Sequence, residues 1–322
     1  MRLRSGLAIA GFGIVGALLP LFLRSPHWLQ VLSLAFYYVV LTSSWNLMMG
    51  YTGLFSFAHT ALAAIGGYSC ALIMLHAGLP HLVALLAAGI VAGLASLLLG
   101  VISLRLRGFY LCLVTWAFAE IATGVLRVEY RLTGGTMGLM VPGLFPSAWG
   151  KTPYYYLGLL LAIGVLAFMV LLSRSRIGLY LRSIRDDELA SEVLGVDTVF
   201  WKVFCFTVCG FWAGIGGAYY GYVVGVVDPN VGSLGEMGKV ILMVIIGGMG
   251  TIPGPVVGTF LVMVLSEFLR GRLVAMSMLI FAVILIVVMR FLPGGMVAAV
   301  QPLRARLQRH RPLPSGTTEA AP

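Results

Sequence analysis

The chain has 322 residues, of which 60% are hydrophobic and 10% charged, and its formal net charge is +10. A soluble domain carries roughly 25% charged residues to cover its surface, so this composition excludes an ordinary globular protein and indicates one that faces lipid. The basic excess lies at the ends of apolar runs and forms no basic stripe, so nucleic acid is not an expected partner.

Ten hydrophobic segments predict an all-α bundle of about eight to ten transmembrane helices, because a helix needs about 20 mostly apolar residues to cross a bilayer. The first segment follows basic residues, as in a secretory signal, but no cleavage site follows it, so we expect a retained span. The segments are residues 6–23, 28–49, 54–76, 81–104, 109–127, 154–173, 199–226, 239–252, 255–270 and 273–290.

The eighth and ninth segments are short and flank a Gly- and Pro-rich stretch at residues 246–255. No straight helix would tolerate that stretch. We expect one or both segments to be half-spans or a re-entrant pair, because irregular backbone at membrane depth is tolerated where protein or a water-filled path satisfies it.

Basic residues predict the orientation, because cytoplasmic loops carry an excess of Lys and Arg. With the N-terminus inside, 14 of the 21 Lys and Arg fall on the inside, which predicts that both chain ends are cytoplasmic. The transmembrane domain is expected over residues 1–303, with an inside loop at 174–198 and an outside loop at 128–153. The basic tail at 304–322 is typical of a disordered cytoplasmic segment beside anionic lipid.

Two glycine-rich patterns imitate nucleotide-binding motifs. Residues 11–16 match G-x-G-x-x-G, but the match lies inside a hydrophobic span and not in a βαβ unit, so close helix packing explains it. Residues 232–239 fail the phosphate-loop pattern, because Ser233 replaces a required glycine and Val240 replaces the magnesium-binding hydroxyl. We therefore expect no nucleotide site and no cofactor in this chain.

Small residues in the seventh segment, spaced three and four apart, predict a stripe where neighbouring helices approach closely. The four cysteines of the chain all lie in apolar stretches. Cys205 and Cys209 could form a metal pair, but no His or carboxylate is near them in sequence, so packing is the favoured interpretation and no metal site is expected. The glycines of the stripe are Gly210, Gly214, Gly217, Gly221 and Gly225.

Polar residues within spans are costly, about 2.5–3.5 kcal/mol for a charge on insertion scales, so each needs an explanation. Glu120, His59 and Asn46 could line a polar path or gate, or they could form hydrogen bonds that fix helix packing. Both interpretations stay open for Glu120, whereas packing is favoured for His59 and Asn46. Glu120 needs a partner, and His59 and Asn46 are the candidates.

The inside loop contains a short amphipathic helix by its pattern. Asp186 can cap its N-terminus, Asp187 and Glu188 suit the positive end of its dipole, and Gly195 fits the position just beyond its C-terminus. An apolar stripe and exposed acids on one helix of about two turns indicate docking into a groove of another protein more than rest on anionic lipid.

Four stretches resemble the permease subunits of branched-chain amino acid ABC importers, LivM type, and the resemblance covers residues 41–293. They are NLMMGYTGLFSFAH at 46–59, LRGFY with the following residues to Glu120 at 106–120, LTGGTMGL at 132–139 and RSIRDDELASEVLG at 182–195. Together these stretches are highly specific for that family.

The resemblance implies an importer in the bacterial inner membrane. A periplasmic binding protein would deliver the solute, this chain and a LivH-like permease would form the path, and two LivG/LivF-like ATPase subunits would bind and hydrolyse ATP inside. This chain would then be a transport subunit and not an enzyme.

The resemblance also implies three groups of site residues. The ATPase-coupling loop would use Arg182, Arg185, Asp186, Glu188, Ala190, Glu192 and Gly195. The translocation path would include Asn46, Ser56, His59 and Glu120, and the outer loop would use Thr133, Gly134, Gly135 and Gly138.

Departures from the family pattern leave the substrate open. Met48, Met49, Ser44, Trp45 and Trp116 replace more usual residues, and relatives carry urea, short amides or aromatic acids as well as Leu, Ile and Val. Two other classes stay as alternatives: a stand-alone ion-coupled transporter or channel, and an intramembrane enzyme, for which His59 and Glu120 alone define no reaction.

Overall fold

The computed structural model describes residues 11–20, 25–103, 106, 108–146, 149–270, 283, 290 and 295–297. Within these residues the protein is a bundle of α-helices with one two-stranded sheet, as predicted for an all-α polytopic protein. The helices are α1 (Gly11–Pro20), α2 (Pro26–Thr52), α3 (His59–Leu72, extended by a π turn at Ile73–Ala77), α4 (His81–Ser103), α5 (Phe109–Val128), α6 (Tyr130–Thr133), α7 (Thr152–Arg174), α8 (Arg176–Asp186), α9 (Glu188–Val193), α10 (Thr198–Val224), α11 (Leu234–Gly247) and α12 (Pro253–Arg270). The strands are β1 (Leu139–Met140) and β2 (Val226–Val227).

Six described helices are long and apolar enough to cross a membrane, and they match the second to seventh predicted segments. The chain is therefore a multi-pass membrane protein. Of the first predicted segment, residues 11–20 form α1. The tenth segment, residues 273–290, lies outside the described residues except for 283 and 290, and the tail at 304–322 lies wholly outside them. The six helices are α2, α3 with its π turn, α4, α5, α7 and α10.

Helix α2 lies at the centre of the bundle, where it contacts α7, α10, α11 and α12. In its most apolar 18-residue stretch 83% of the residues are buried, against 22% for α5. Several of its buried hydroxyls bond within the helix, as Ser33 donates to the Leu29 carbonyl at 2.8 Å and Ser44 to the Val40 carbonyl at 2.9 Å. These bonds satisfy polar side chains in the core, whereas the buried Ser43 hydroxyl has no hydrogen-bond partner among the described residues.

The glycine stripe of α10 is a packing surface, as its spacing predicts. A Cβ atom on Gly217 would collide with the Ala63 carbonyl oxygen of α3, and one on Gly214 would collide with Ala88 and Ala92 of α4. Gly225 does not belong to the stripe. It follows the last residue of α10 with φ +86° and ends the helix in the left-handed conformation.

After α10 the chain turns back into the bundle. Strand β2 pairs antiparallel with β1 of the outer loop, and Gly232 then packs against Ala61 of α3 and Thr123 of α5. Helix α11 begins beside Tyr38, which lies 12 residues into α2. At 1.5 Å per residue that position is about 18 Å below the start of α2.

Helices α11 and α12 form an antiparallel hairpin around residues 248–252. With 14 residues α11 is only about 21 Å long, less than the roughly 30 Å hydrocarbon core, so it is the half-span of the expected pair. The two helices touch through backbone, because a Cβ on Gly258 would collide with the Met243 carbonyl. At the far end of α12, Glu267 bonds His27 in the first turn of α2 at 3.0 Å.

The contact between Gly217 and Ala63 predicts a large stability effect. Gly217→Leu should lower the free energy of unfolding by about 3 kcal/mol or more, because the new side chain meets backbone that cannot move aside. Gly238→Ala is the control, since a Cβ there meets nothing within 4 Å. Heating the purified protein in detergent and following its monodisperse fraction by size exclusion measures both. Equal melting temperatures for the two variants would contradict the contact.

Candidate functional site

The inside loop is attached to the C-terminal end of α2. Arg185, near the end of α8, donates from Nη1 to the Gly50 carbonyl oxygen at 2.7 Å. The guanidinium of Arg182 lies over the Tyr51 ring, 5.1 Å from its centroid. One guanidinium hydrogen bond from Arg185 and one cation–π contact from Arg182 together hold α8 against this helix end.

The same end of α2 holds the break between α11 and α12. The buried amide of Asn46 accepts from the Gly250 backbone N–H at 2.8 Å and donates to the Thr251 carbonyl at 2.9 Å. Asn46 thereby satisfies backbone groups that the broken helix leaves unpaired. We call Asn46, Gly50, Arg185 and Gly250 the α2 junction, because they join α8, α2 and the hairpin.

Helix α9 is the short capped helix of the inside loop, but its cap is one residue later than predicted. Asp187 is the N-cap and accepts from the Ala190 N–H at 3.0 Å. Asp186 is instead the last residue of α8 and pairs with Arg185 at 2.9 Å. Two adjacent aspartates make the cap ambiguous in the sequence. In the structure Asp186 pairs with Arg185, and Asp187 caps the helix.

The C-terminus of α9 has the geometry that the sequence predicts. Gly195 has φ +84°, its N–H donates to the Glu192 carbonyl at 2.9 Å, and the Val196 N–H donates to the Ser191 carbonyl at 3.0 Å. This is a Schellman motif, which stops the helix and satisfies its last carbonyls.

Side chains of α10 fix the orientation of α9. Lys202 forms an ion pair with Glu188 at 2.5 Å, and both side chains are largely buried. Thr198 donates to the Glu192 carboxylate at 2.8 Å. In the sequence, Lys202 counts only as one more positive charge expected on the inside. Its ion pair with Glu188 joins residues 14 positions apart, and such a pairing leaves no local pattern.

The outward side of α9 is apolar and exposed. Leu189, Val193 and Leu194 expose 62%, 87% and 82% of their surfaces, although the helix itself is fixed at both ends. An apolar patch on a rigid, capped helix is a feature of surfaces that bind another protein.

Three of the predicted path residues, Asn46, Ser56 and His59, form hydrogen bonds between neighbouring segments of the bundle. His59 bonds the Ser44 hydroxyl at 2.8 Å, and the Ser56 carbonyl accepts from the Trp45 indole at 2.9 Å. Asn46 belongs to the α2 junction, and none of the three lines any of the described cavities. The packing alternative therefore describes their geometry, although His59 keeps one ring nitrogen, Nδ1, without a hydrogen-bond partner.

Glu120 lies apart from these residues. It contacts neither His59 nor Asn46, and within the described part of the chain its carboxylate has no ion pair, so the expected partnership is wrong. It lies on the exposed face of α5, near Trp116 and Ile121. The expectation failed because spacing along the chain cannot tell which way α5 is rotated.

The outer loop residues form a compact turn. Thr133 donates to the Leu126 carbonyl at 2.8 Å and accepts from the Gly135 N–H at 3.3 Å. Gly134 and Gly138 have positive φ angles, and a Cβ on Gly138 would collide with the Val227 carbonyl. The turn therefore places β1 against β2 and holds the descending segment before α11.

A cavity of about 220 Å³ lies between the hairpin, α2, α10 and this descending segment. It contains Asp228, Glu236 and Lys239, none of which is among the sequence-predicted site residues. Hydropathy places Asp228 and Glu236 in an outside loop, because a polar sequence gives no sign that the chain folds back into the bundle. We call this the α11 cavity.

The fold and these contacts define a polytopic helical membrane protein with a short capped helix in one of its loops and a break between two apolar helices. A sequence model described as the branched-chain amino acid transport system / permease component matches residues 28–289. The chain belongs to this family of permease components.

Curated relatives agree with the family. The chain is 28% identical to the high-affinity branched-chain amino acid transport system permease protein LivM of Escherichia coli K12, over 87% of this chain and 72% of that protein. It is 22% identical to LivH of the same organism, over 81% of this chain and 91% of that protein. A probable LivM of Methanocaldococcus jannaschii is 22% identical over 81% of this chain and 90% of its own length. No solved structure matches the chain.

The two hydrogen bonds of Asn46 predict a graded effect. Asn46→Ala should lower the free energy of unfolding by about 2 kcal/mol, and Asn46→Asp by about 3 kcal/mol or more, since the carboxylate cannot donate to Thr251 and adds a buried charge. Ser69→Ala is the control, because Ser69 bonds only the Ile65 carbonyl of its own helix. Thermal denaturation in detergent measures the series, and an aspartate variant as stable as the control would contradict the assignment.

Proposed function

We propose that the chain is the permease subunit of an ATP-binding-cassette importer that moves branched-chain amino acids across the bacterial cytoplasmic membrane. The solute would arrive from a periplasmic binding protein. ATP would be bound and hydrolysed by two partner subunits on the inside, and this chain would hold no cofactor of its own. The names of the LivM and LivH relatives support the substrate class and the paired permease.

The observation that carries the proposal is α9. Helix α9 and its C-cap residue Leu194 together expose three large apolar side chains, while an N-cap, a Schellman motif and two side-chain bonds keep the helix rigid. Exposed apolar groups on a fixed element gain free energy only when a partner covers them. A transporter that works alone leaves this surface without a purpose.

The α2 junction connects α9, through α8, to the membrane-spanning helices. Force on α9 reaches α8, because the two helices are consecutive, and Arg185 connects α8 to α2. Asn46 connects α2 to the break between α11 and α12. Closure of the ATPases against α9 would thus move the end of the central helix and the hairpin together.

The outward face of α5 supplies the surface for the second permease. A carboxylate in mid-span is costly in lipid, and Glu120 has no partner among the described side chains. Only a polar or hydrated surface can cover this face in the membrane. We therefore place the path beside Glu120, between this chain and its LivH-like partner.

Reconstitution of the complete importer tests the docking role. ATP-driven leucine uptake should require both ATPases and the binding protein. Val193→Glu should lower uptake about tenfold or more by placing a charge in the apolar contact, with normal expression because Val193 is exposed. Val193→Thr keeps the shape and should retain most activity. Gradient-driven uptake by this chain alone in liposomes would instead favour the ion-coupled class.

Cysteine labelling tests the α5 face. In the assembled importer with Cys112 replaced, Glu120→Cys should react with a membrane-impermeant maleimide, because the proposed path contains water. Leu98→Cys on α4 is the control, since Leu98 is equally outward but lies on an apolar helix face. Protection of both cysteines from the reagent would place α5 against lipid or dry protein and contradict the path.

A further inference from the structure

The α11 cavity has a mixed lining, to which α2, α11 and α12 each contribute apolar and polar side chains. The apolar members are Leu34 of α2, Val231, Met243 of α11 and Met263 of α12. The polar members are Asp228, Asn230, Glu236, Lys239, Ser266 and Glu267, with three tyrosines, Tyr37, Tyr38 and Tyr220. A volume of about 220 Å³ is several times the roughly 30 Å³ of one water molecule and suits a small organic solute.

Two of the charges in the cavity neutralise each other. Glu236 accepts from Lys239 at 2.5 Å and from the Tyr38 hydroxyl at 2.6 Å. The Lys239 ammonium has three N–H donors, so donors remain after the bond to Glu236. Lys239 can therefore also bind a carboxylate that enters the cavity.

Asp228 is the charge without a counterion. Its Oδ1 accepts from the Asn230 backbone N–H at 2.7 Å, which caps the turn at Pro229–Gly232. No cationic side chain in the described part of the chain pairs with it. Tyr37 and Tyr220, whose ring centroids are 5.0 Å apart, line the same cavity and can face a cation. Asp228 and these rings form a site for a positively charged group.

From this arrangement we propose that the α11 cavity binds an aliphatic α-amino acid as its zwitterion. The ammonium group binds Asp228, the carboxylate binds Lys239 and Asn230, and the side chain packs on Leu34, Met243 and Met263. A bare metal ion fits poorly, because no three His, Cys, Asp or Glu side chains of the described residues are grouped so as to hold one.

This site rests on the proposed import of amino acids and adds to it. No residue of α5 lines the cavity, so it is separate from the face that carries Glu120. The permease itself then discriminates between solutes, in addition to any choice that the binding protein makes.

The test is equilibrium binding of radiolabelled leucine to the complete permease–ATPase complex in lipid nanodiscs, without binding protein. Valine and isoleucine should displace leucine, whereas 4-methylpentanoate, which lacks the ammonium, and 3-methylbutylamine, which lacks the carboxylate, should not. Equal displacement by either analogue would overturn the zwitterion site.

Three variants sharpen the test. Asp228→Asn keeps the capping oxygen and should weaken leucine binding about tenfold or more, since a charged hydrogen bond becomes neutral. Glu129→Gln removes an exposed carboxylate outside the cavity and should leave binding unchanged. Leu34→Ala enlarges the cavity beside its apolar side chains and should raise the affinity for phenylalanine relative to leucine.

The result separates this site from the proposed function. Normal uptake by the importer with no leucine bound to the complex, or with binding that Asp228→Asn leaves intact, overturns the cavity site alone. Leucine binding that requires Asp228 in a complex with no ATP-driven uptake supports the site and overturns the importer.

Discussion

The need to satisfy backbone polar groups at membrane depth shapes this protein more than any other interaction. Water is absent there, so each N–H and C=O must find a partner inside the chain. Three segments are not helical, and a side chain of α2 or α3 forms a hydrogen bond with the backbone of each. Trp45 donates to the 53–58 turn, Thr60 lies 3.4 Å from the Gly232 carbonyl of the descending segment, and Asn46 bonds the 248–252 break. The central helix thus carries Trp45 and Asn46 where its neighbours are irregular.

This constraint explains which features the sequence could predict. Span positions follow from hydropathy alone, so six long helices and the broken eighth and ninth segments were all recognised. Capping chemistry is equally local, and it located α9 to within one residue. The glycine stripe also identified the packing face of α10, because small residues at helical spacing have few other uses.

The remainder depends on rotation and depth, which have no local pattern. His59 and Glu120 are both polar residues within spans, yet one faces Ser44 in the core and the other faces outward from α5. Asp228 and Glu236 read as loop residues, although the chain has returned into the bundle before it reaches them. Their environment depends on Gly232 fitting between α3 and α5, a contact that joins residues more than 100 positions apart.

The arrangement around α2 gives a physical reason to connect the two ends of the subunit. Arg185 binds Gly50 near the C-terminal end of this helix, and Tyr38, 12 residues earlier, bonds Glu236. At 1.5 Å per residue these contacts lie about 18 Å apart along a helix that is packed on nearly every side. Packed helices shift as units and not by gradual bending, since interiors are dense. The hairpin bonds α2 through Asn46, one turn before Gly50, and through Glu236, at Tyr38, so a shift of α2 strains both contacts. The proposed ATPase closure on α9 and the proposed solute binding in the α11 cavity would therefore both act on α2 and on the α11–α12 hairpin.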